Sequence, residues 1–229
     1  MQSASQKVGY VVQRTDILPP ISAPWEDASW SPAETLAVSR FHPRSSSHRP
    51  RTEARLLHDG DAIAIIFRVE DRYILARHTT YQSPTHQDSC VEFFVQPKPT
   101  SGYFNFEFNA IGTLLLWYID RPRRPDGSFE HYVEVPLELA RGIIVHASLT
   151  EPIHDEVASP IVWTLSFRVP KTLFESFADP LHDLSGETWR ANFYKCADLS
   201  SHPHWGAWAE IGDRLDFHQP ESFGEIVFA

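Results

Sequence analysis

Four polar residues fall on two strand-like segments, "DSCVEFFVQ" and "YFNFEFN": Glu92, Asn105, Glu107 and Asn109. Alternate strand residues share a face, so this row is separated from most of the apolar residues between its members. Carboxylates accept hydrogen bonds and amides both donate and accept them, which suits the adjacent hydroxyls of a sugar. Asn is also a poor strand former, and a strand face that only contacts water would be better served by other polar residues. The row predicts a site for a hydroxyl-rich ligand, and an ordinary solvated sheet face is the alternative.

The segment "WRANFYKC" divides in the same way. Arg190, Asn192 and Tyr194 share one face, which ends on Cys196, and we expect them to continue the polar row. Lys195 has the parity of the opposite, apolar face. We therefore expect its side chain to extend to the surface, or the strand to bulge there.

Large aromatic residues occupy two loops beside these segments. Trp205 and Trp208 lie in "HPHWGAWAE", where strand periodicity does not explain them, and Tyr81 and His86 lie in "HTTYQSPTHQD". The C–H face of a pyranose packs on a flat aromatic ring, so the two loops are predicted to flank the polar row as aromatic walls. The alternative for the two tryptophans is that they cap the open end of a sandwich.

The remaining pattern favours an all-β protein. The chain has 229 residues, of which 42% are hydrophobic, enough for a sizeable core, and its 18 prolines suit many short strands. We predict a two-sheet antiparallel β-sandwich of one domain, residues 1–229, with one or two short accessory helices. The expected helices are "SPAET", with Ser31 as N-cap, and "PKTLFESFAD". The predicted strands are Ala54–Leu57, Ala62–Glu70, Tyr73–Arg77, Ser89–Gln96, Tyr103–Asn109, Thr113–Ile119, Tyr132–Val135, Gly142–Leu149, Ile161–Val169, Trp189–Lys195 and Gly224–Phe228. Residues Arg40–Arg51 and Asp120–Glu130 are predicted loops.

Charge and hydropathy exclude several kinds of partner. With 20 basic and 30 acidic residues the formal net charge is -10, which disfavours nucleic acid. No apolar run reaches the length of a membrane-spanning helix, and no signal peptide is visible. The chain as written is therefore expected in the cytoplasm, or outside it if a leader has been removed.

The sequence contains few signals for a cofactor. Cys90 and Cys196 are too few for a disulfide framework or a zinc cluster, and we expect free thiols, with a cross-strand bridge as the alternative. The twelve histidines are scattered and do not form a metal-binding motif. Met1 is the only methionine, which disfavours haem ligation by Met and His. The nucleophile-elbow motif of serine hydrolases is absent. No cofactor and no catalytic residue are therefore predicted. The alternatives are a glycoside-cleaving or sugar-modifying enzyme that uses Glu92 and Glu107, and a protein-interaction module.

Several motifs in order resemble the carbohydrate-binding family 9-like proteins, which are relatives of the family 9 modules of bacterial xylanases. The motifs are "DSCVEFF", "YFNFEFNAIGT", "RANFYKC" and "DFHQPESFGEIVF", and the resemblance runs from "WEDASW" to the end. It implies a β-sandwich that holds a mono- or disaccharide end between two aromatic side chains over carboxylate, amide and guanidinium groups. Family members also carry structural calcium, for which Glu70 and Asp71 are the only short acidic cluster on offer here.

The resemblance also assigns the aromatic walls. The first wall falls before the "DSCVEFF" strand, where this sequence has Tyr81 and His86 and departs from the family by lacking a tryptophan. The second wall falls near Trp205 or Trp208, after Asn192.

The polar floor is assigned in the same way. Its acidic hydrogen-bonding position corresponds to Asp88 or Glu92, and the middle strand contributes Asn105, Glu107 or Asn109. We therefore expect non-catalytic binding of a mono- or oligosaccharide. The residues expected to bind it are Tyr81, His86, Asp88, Glu92, Asn105, Glu107, Asn109, Arg190, Asn192, Tyr194, Trp205 and Trp208.

Overall fold

The computed structural model describes residues 8–121, 127–178 and 180–229. Strands dominate it. They are β1 (Gly9–Arg14), β2 (Leu36–Val38), β3 (Arg40–Phe41), β4 (Arg51–His58), β5 (Ala62–Asp71), β6 (Ile74–Ala76), β7 (Cys90–Gln96), β8 (Tyr103–Asn109), β9 (Leu114–Ile119), β10 (Tyr132–Glu134), β11 (Ile144–Ala147), β12 (Ile153–Val157), β13 (Ile161–Pro170), β14 (Thr188–Cys196), β15 (Trp205–Ala207) and β16 (Gly224–Phe228). The helices are α1 (Leu137–Ala140) and α2 (Lys171–Glu175), with 3-10 turns at Ala28–Trp30, Thr85–Gln87 and Pro220–Ser222.

Two sheets pack face to face, as predicted for a β-sandwich. Sheet A runs in the order β10-β9-β8-β7-β14-β16-β1, with β15 on β14 and β3 on β15. Sheet B runs β1-β4-β5-β13-β11, with β2 on β4. Strand β1 belongs to both, because Gly9 to Val12 pair with β16 and Gln13 and Arg14 pair with β4. A separate ribbon joins β6 and β12.

The core between the sheets is rich in phenylalanine. Phe93 and Phe193 stack across β7 and β14, with ring centroids 5.0 Å apart, and Phe108 meets Phe167 of sheet B at 4.6 Å. All four are fully buried. Since each large aromatic ring removes apolar area from water, this layer contributes strongly to stability.

Strand parity is confirmed on the central strands. Val91, Phe93 and Val95 of β7 belong to the main core, whereas Phe94 belongs to a second apolar cluster on the outer face of sheet A. Each predicted strand overlaps an observed one, and β8 and β16 have the predicted bounds. Strands β1, β2, β3, β12 and β15 were not predicted, because they are short or alternate weakly.

Two local expectations need correction. Residues Ser31 to Thr35 form no helix, and the turn lies just before them at Ala28–Trp30, where the Asp27 carboxylate accepts from the backbone N–H of Ser29 at 2.9 Å. An Asx cap at Asp27 therefore begins a short turn, and this turn ends at Trp30, where a helix capped by Ser31 was expected to begin. The expected loop from Arg40 to Arg51 begins with β3 and ends in β4.

The second predicted loop, Asp120–Glu130, falls partly at 122–126, outside the described residues; its other residues form no extended strand. No helix in the described residues is long and apolar enough to span a membrane.

Candidate functional site

A cleft of about 570 Å³ opens on the outer face of sheet A. The floor comes from neighbouring strands and the rim from the loops before β10 and before β16. The lining residues are His86, Glu92, Phe94, Glu107, Leu115, Trp117, Gly127, Phe129, Cys196, Asp198, Trp205, Arg214, Leu215, Asp216, Phe217 and His218.

The strand order places two tryptophans at opposite ends of this floor. Trp117 lies on β9 and Trp205 on β15, and β8, β7 and β14 lie between them. Four strand steps of about 4.8 Å separate the two backbones by roughly 19 Å along the sheet. Both tryptophans line the cleft.

Two carboxyl groups form the centre of the floor. Glu92 and Glu107 are directly paired across β7 and β8, and each is almost fully buried. The Glu92 Oε1 accepts from the Cys196 thiol at 3.1 Å, and its Oε2 has no hydrogen-bond partner within the described residues. Burial, followed by the nearby Cys196 and Glu107, raises the pKa of Glu92 well above its usual range. The neutral, protonated form is thus favoured, and it can donate a hydrogen bond.

Glu107 has different neighbours. Its Oε1 accepts from Asn105 Nδ2 at 2.8 Å, and its Oε2 lies 3.4 Å from His86 Nδ1. The pairing with Glu107 raises the pKa of His86 against the opposing effect of burial. One side of the floor therefore holds Glu92, whose neutral form is favoured, and the other holds Glu107 beside His86, whose pKa is raised.

The aromatic walls are only partly those expected from the sequence. Trp205 lines the cleft, and its indole N–H donates to Asp198 Oδ1 at 2.7 Å, which fixes the ring. The other wall is Trp117, stacked on Tyr132 with centroids 4.4 Å apart and edge-on to Phe129 at 5.7 Å. Trp117 was missed because β9 is apolar on both faces, so alternation does not show which face meets solvent.

Of the expected wall residues, Tyr81 and Trp208 lie elsewhere. The Tyr81 hydroxyl donates to the Val135 carbonyl at 2.7 Å and its ring packs against the main core. Trp208 is 6% exposed and meets Phe193 edge-on at 5.6 Å. It is three residues from Trp205, an odd offset, so in the extended chain the two side chains point to opposite faces.

Two expected floor residues hold loops in place. The Asp88 Oδ2 accepts from the backbone N–H groups of Arg77 and His78, each at 3.0 Å, and from Asn109 Nδ2 at 2.9 Å. Asn109 Oδ1 also accepts from the Thr113 N–H at 2.9 Å. Both side chains are buried and outside the cleft lining. This explains Asp88 and Asn109 as loop anchors.

Three further expected residues lie beside or beneath the cleft, and a fourth, Arg190, lies away from it. Asn105 accepts a hydrogen bond from the Trp117 backbone N–H at 2.7 Å and donates one to Glu107. Its side chain therefore fixes the position of both the Trp117 backbone and the Glu107 carboxyl group. Tyr194 is fully buried and stacks on Phe217 of the rim at 4.0 Å. Asn192 both donates to and accepts from the Ala209 backbone. Arg190 donates to the Glu221 carbonyl at 3.1 Å, away from the cleft lining.

Lys195 neither reaches the surface nor sits on a bulge. It is fully buried, and its Nζ lies 3.2 Å from Asp71 Oδ2 and 2.9 Å from His204 Nε2. Asp71 Oδ1 is 2.7 Å from His48. Glu70 pairs with Arg68 at 2.6 Å. Both acids of the proposed calcium cluster thus face cationic or imidazole partners, so these residues do not fit calcium.

The comparisons with known proteins agree with this fold. A family model described as carbohydrate-binding family 9 matches residues 29–228. No curated protein matches the sequence. A "putative carbohydrate-binding protein" from Bacteroides uniformis ATCC 8492 is 25% identical, with a TM-score of 0.85 over 98% of this chain and 100% of that one.

Two other solved structures are similar in fold. Both are family 9 carbohydrate-binding modules from Caldicellulosiruptor kristjanssonii, one in complex with cellotriose and one with glucose. The first is 15% identical, with a TM-score of 0.62 over 96% of this chain and 93% of that one. The second is 12% identical, with the same TM-score over 97% and 96%.

Proposed function

Because the chain belongs to carbohydrate-binding family 9, and is therefore a carbohydrate-binding protein, we propose that it binds a mono- or oligosaccharide in the cleft between Trp117 and Trp205 without altering it. The observation that carries the proposal is the arrangement of two tryptophans at the ends of a floor of carboxyl groups. Solved modules of similar fold hold glucose and cellotriose, which supports a neutral sugar as the ligand.

The proposed contacts follow from the chemistry of each group. The tryptophan rings take the C–H faces of the sugar, where the apolar area of the ligand is lost from water. Glu107 accepts from sugar hydroxyls, and neutral Glu92 donates to one. The sugar exchanges hydrogen bonds with water for hydrogen bonds with protein, so each contributes modestly. We expect dissociation constants on the order of micromolar to millimolar.

Charge favours neutral over acidic sugars. Asp198, Asp216 and Glu107 line the cleft, with Arg214 at the rim. The chain as a whole carries a formal charge of -10. A uronic acid would therefore enter a field of its own sign, which weakens its binding relative to the corresponding neutral sugar.

Titration calorimetry tests the proposal directly. Wild-type protein is titrated with glucose, cello-oligosaccharides, an amino sugar and a uronic acid. We expect Trp117→Ala to weaken binding of the preferred sugar at least about tenfold, which corresponds to about 1.4 kcal/mol. The matched control is Trp25→Ala, because Trp25 lines a separate groove and stacks under Arg55. Silence across the whole panel would end the proposal.

One observation favours a second candidate function, glycoside cleavage. Glu92 faces Glu107, and its raised pKa gives it the property of a general acid. Glu107 would then attack or activate water, as in enzymes with paired carboxyl groups. Turnover of aryl glycosides and oligosaccharides that is lost in Glu107→Gln while binding is retained would favour cleavage. We expect no turnover from wild-type protein.

A further inference from the structure

Two cysteines and a carboxyl group meet at one end of the cleft floor. Cys90 and Cys196 are paired directly across β7 and β14, and Glu92 follows Cys90 by two residues on the same face. The two sulfurs and a Glu92 oxygen lie within 4.8 Å of one another. Cys90 and Glu92 are neighbours on β7, and the pairing of β7 with β14 brings the distant Cys196 to them.

The geometry is close to that of a thiolate metal centre. Zn–S bonds of about 2.3 Å at tetrahedral angles place two sulfurs about 3.8 Å apart, so side-chain adjustments of about 1 Å suffice. Soft thiolates select zinc and similar metals, and carboxylates are accepted zinc ligands.

The Cys196 thiol donates to Glu92 Oε1 at 3.1 Å, and the other contacts of these three groups are weak or missing. Glu92 Oε2 is buried without a hydrogen-bond partner within the described part of the chain. The contacts from the thiols to backbone are long: 3.7 Å from Cys90 Sγ to the Val91 carbonyl and 3.6 Å from Cys196 Sγ to the His86 carbonyl. Burial of an unpaired carboxyl oxygen costs free energy, which a ligand at this position would recover.

We propose that Cys90, Cys196 and Glu92 form a binding site for one thiophilic divalent cation of the Zn²⁺ class. The cation replaces the two thiol protons and any proton on the carboxyl group, and these protons pass to solvent. Glu92 and Cys196 line the cleft, so the cleft is the entry path and the remaining coordination position faces it. Glu92 is shared with the proposed sugar contacts, whereas the two tryptophans and Glu107 lie outside the cation site.

Cobalt titration under reducing, oxygen-free conditions is the test. A thiol count first establishes that both cysteines are reduced. We expect one equivalent of Co²⁺ to give a sulfur-to-cobalt charge-transfer band and the visible bands of a tetrahedral ion, both removed by added Zn²⁺. Cys90→Ser and Cys196→Ser should each abolish the charge-transfer band or weaken cobalt binding at least about a hundredfold.

The carboxylate contribution has a matched pair of variants. Glu92→Gln and Glu107→Gln remove the same group from neighbouring positions, and only Glu92 belongs to the proposed site. We expect Glu92→Gln to weaken cobalt binding about tenfold or more, and Glu107→Gln to change it much less. Equal effects of the two variants would remove Glu92 from the site.

A measurement on wild-type protein covers the case in which a cysteine variant fails to fold. In the absence of sugar, Zn²⁺ should slow the alkylation of both thiols relative to the metal-free protein. Absence of the charge-transfer band, alkylation that Zn²⁺ does not slow, or a Cys90–Cys196 disulfide that persists under reductant would each overturn the proposal. Sugar binding measured on the same sample reports separately on the proposed function.

Discussion

His204 shows how burial changes the chemistry of a single side chain. It is 1% exposed, and its Nε2 accepts from the Lys195 ammonium. Burial, followed by the charge of Lys195, lowers the pKa of His204 to about 3. From the sequence, His204 could not be told apart from the other eleven histidines, because its contact with Lys195 and its position near Asp71 depend on the fold.

This shift predicts acid sensitivity. The folded-state pKa of His204 lies below the ordinary histidine value of 6.5, so the unfolded chain binds more protons than the folded one between these two pH values. The stability from neutral His204 is complete above pH about 6.5 and is lost as the pH falls toward 3, by on the order of 4 kcal/mol. Urea unfolding across this range should show a steep loss that is flatter in His204→Gln.

The matched control is His182→Gln, at an exposed histidine. We expect it to keep the wild-type slope. Equal slopes for wild type and His204→Gln would contradict the assigned environment of His204.

At the level of the strands, alternation predicted faces wherever a strand has one polar and one apolar side. It separated Glu92 from Phe93 in β7 and Asn105 from Phe106 in β8. It failed for Trp117, because β9 reads "LLLWYI" and both of its faces are covered by apolar neighbours. The polar row was found, but most of its amides turned out to anchor backbone, which depends on loop positions that alternation does not contain.

The placement of Trp208 in the core makes its own prediction. A Cβ on Gly224 of β16 would lie 2.6 Å from the Trp208 ring and 2.7 Å from the Val8 carbonyl. Gly224→Ala should therefore cost about 1–3 kcal/mol of unfolding free energy through overpacking. Denaturant titration measures this cost.

Gly9, at the start of the neighbouring β1, provides the control. A Cβ there would meet the Glu225 carbonyl at an ordinary 3.9 Å. We expect Gly9→Ala to stay within about 0.5 kcal/mol of wild type. A neutral Gly224→Ala would show that Trp208 does not pack over β16 and would return it to the list of wall residues.

For the whole molecule, fold class and family followed from motifs distributed over the chain, and the family model spans 29–228. The residues that line the cleft could be identified only from the structure. Trp117 and Trp205 are 88 residues apart in sequence, and only the strand order from β9 to β15 places them around one cleft. The group formed by Cys90, Cys196 and Glu92 could not be recognised from the sequence either, since two cysteines 106 residues apart do not have the spacing of a metal-binding motif.

The central claim is that sugar binds between Trp117 and Trp205. The seven tryptophans give seven indole N–H signals in a ¹H–¹⁵N NMR spectrum, which single substitutions assign. On titration with glucose and cellotriose, the signals of Trp117 and Trp205 should shift and saturate together, while those of buried Trp30, Trp163 and Trp189 stay in place. A saturating shift of Trp25, with Trp117 and Trp205 unchanged, would contradict the account.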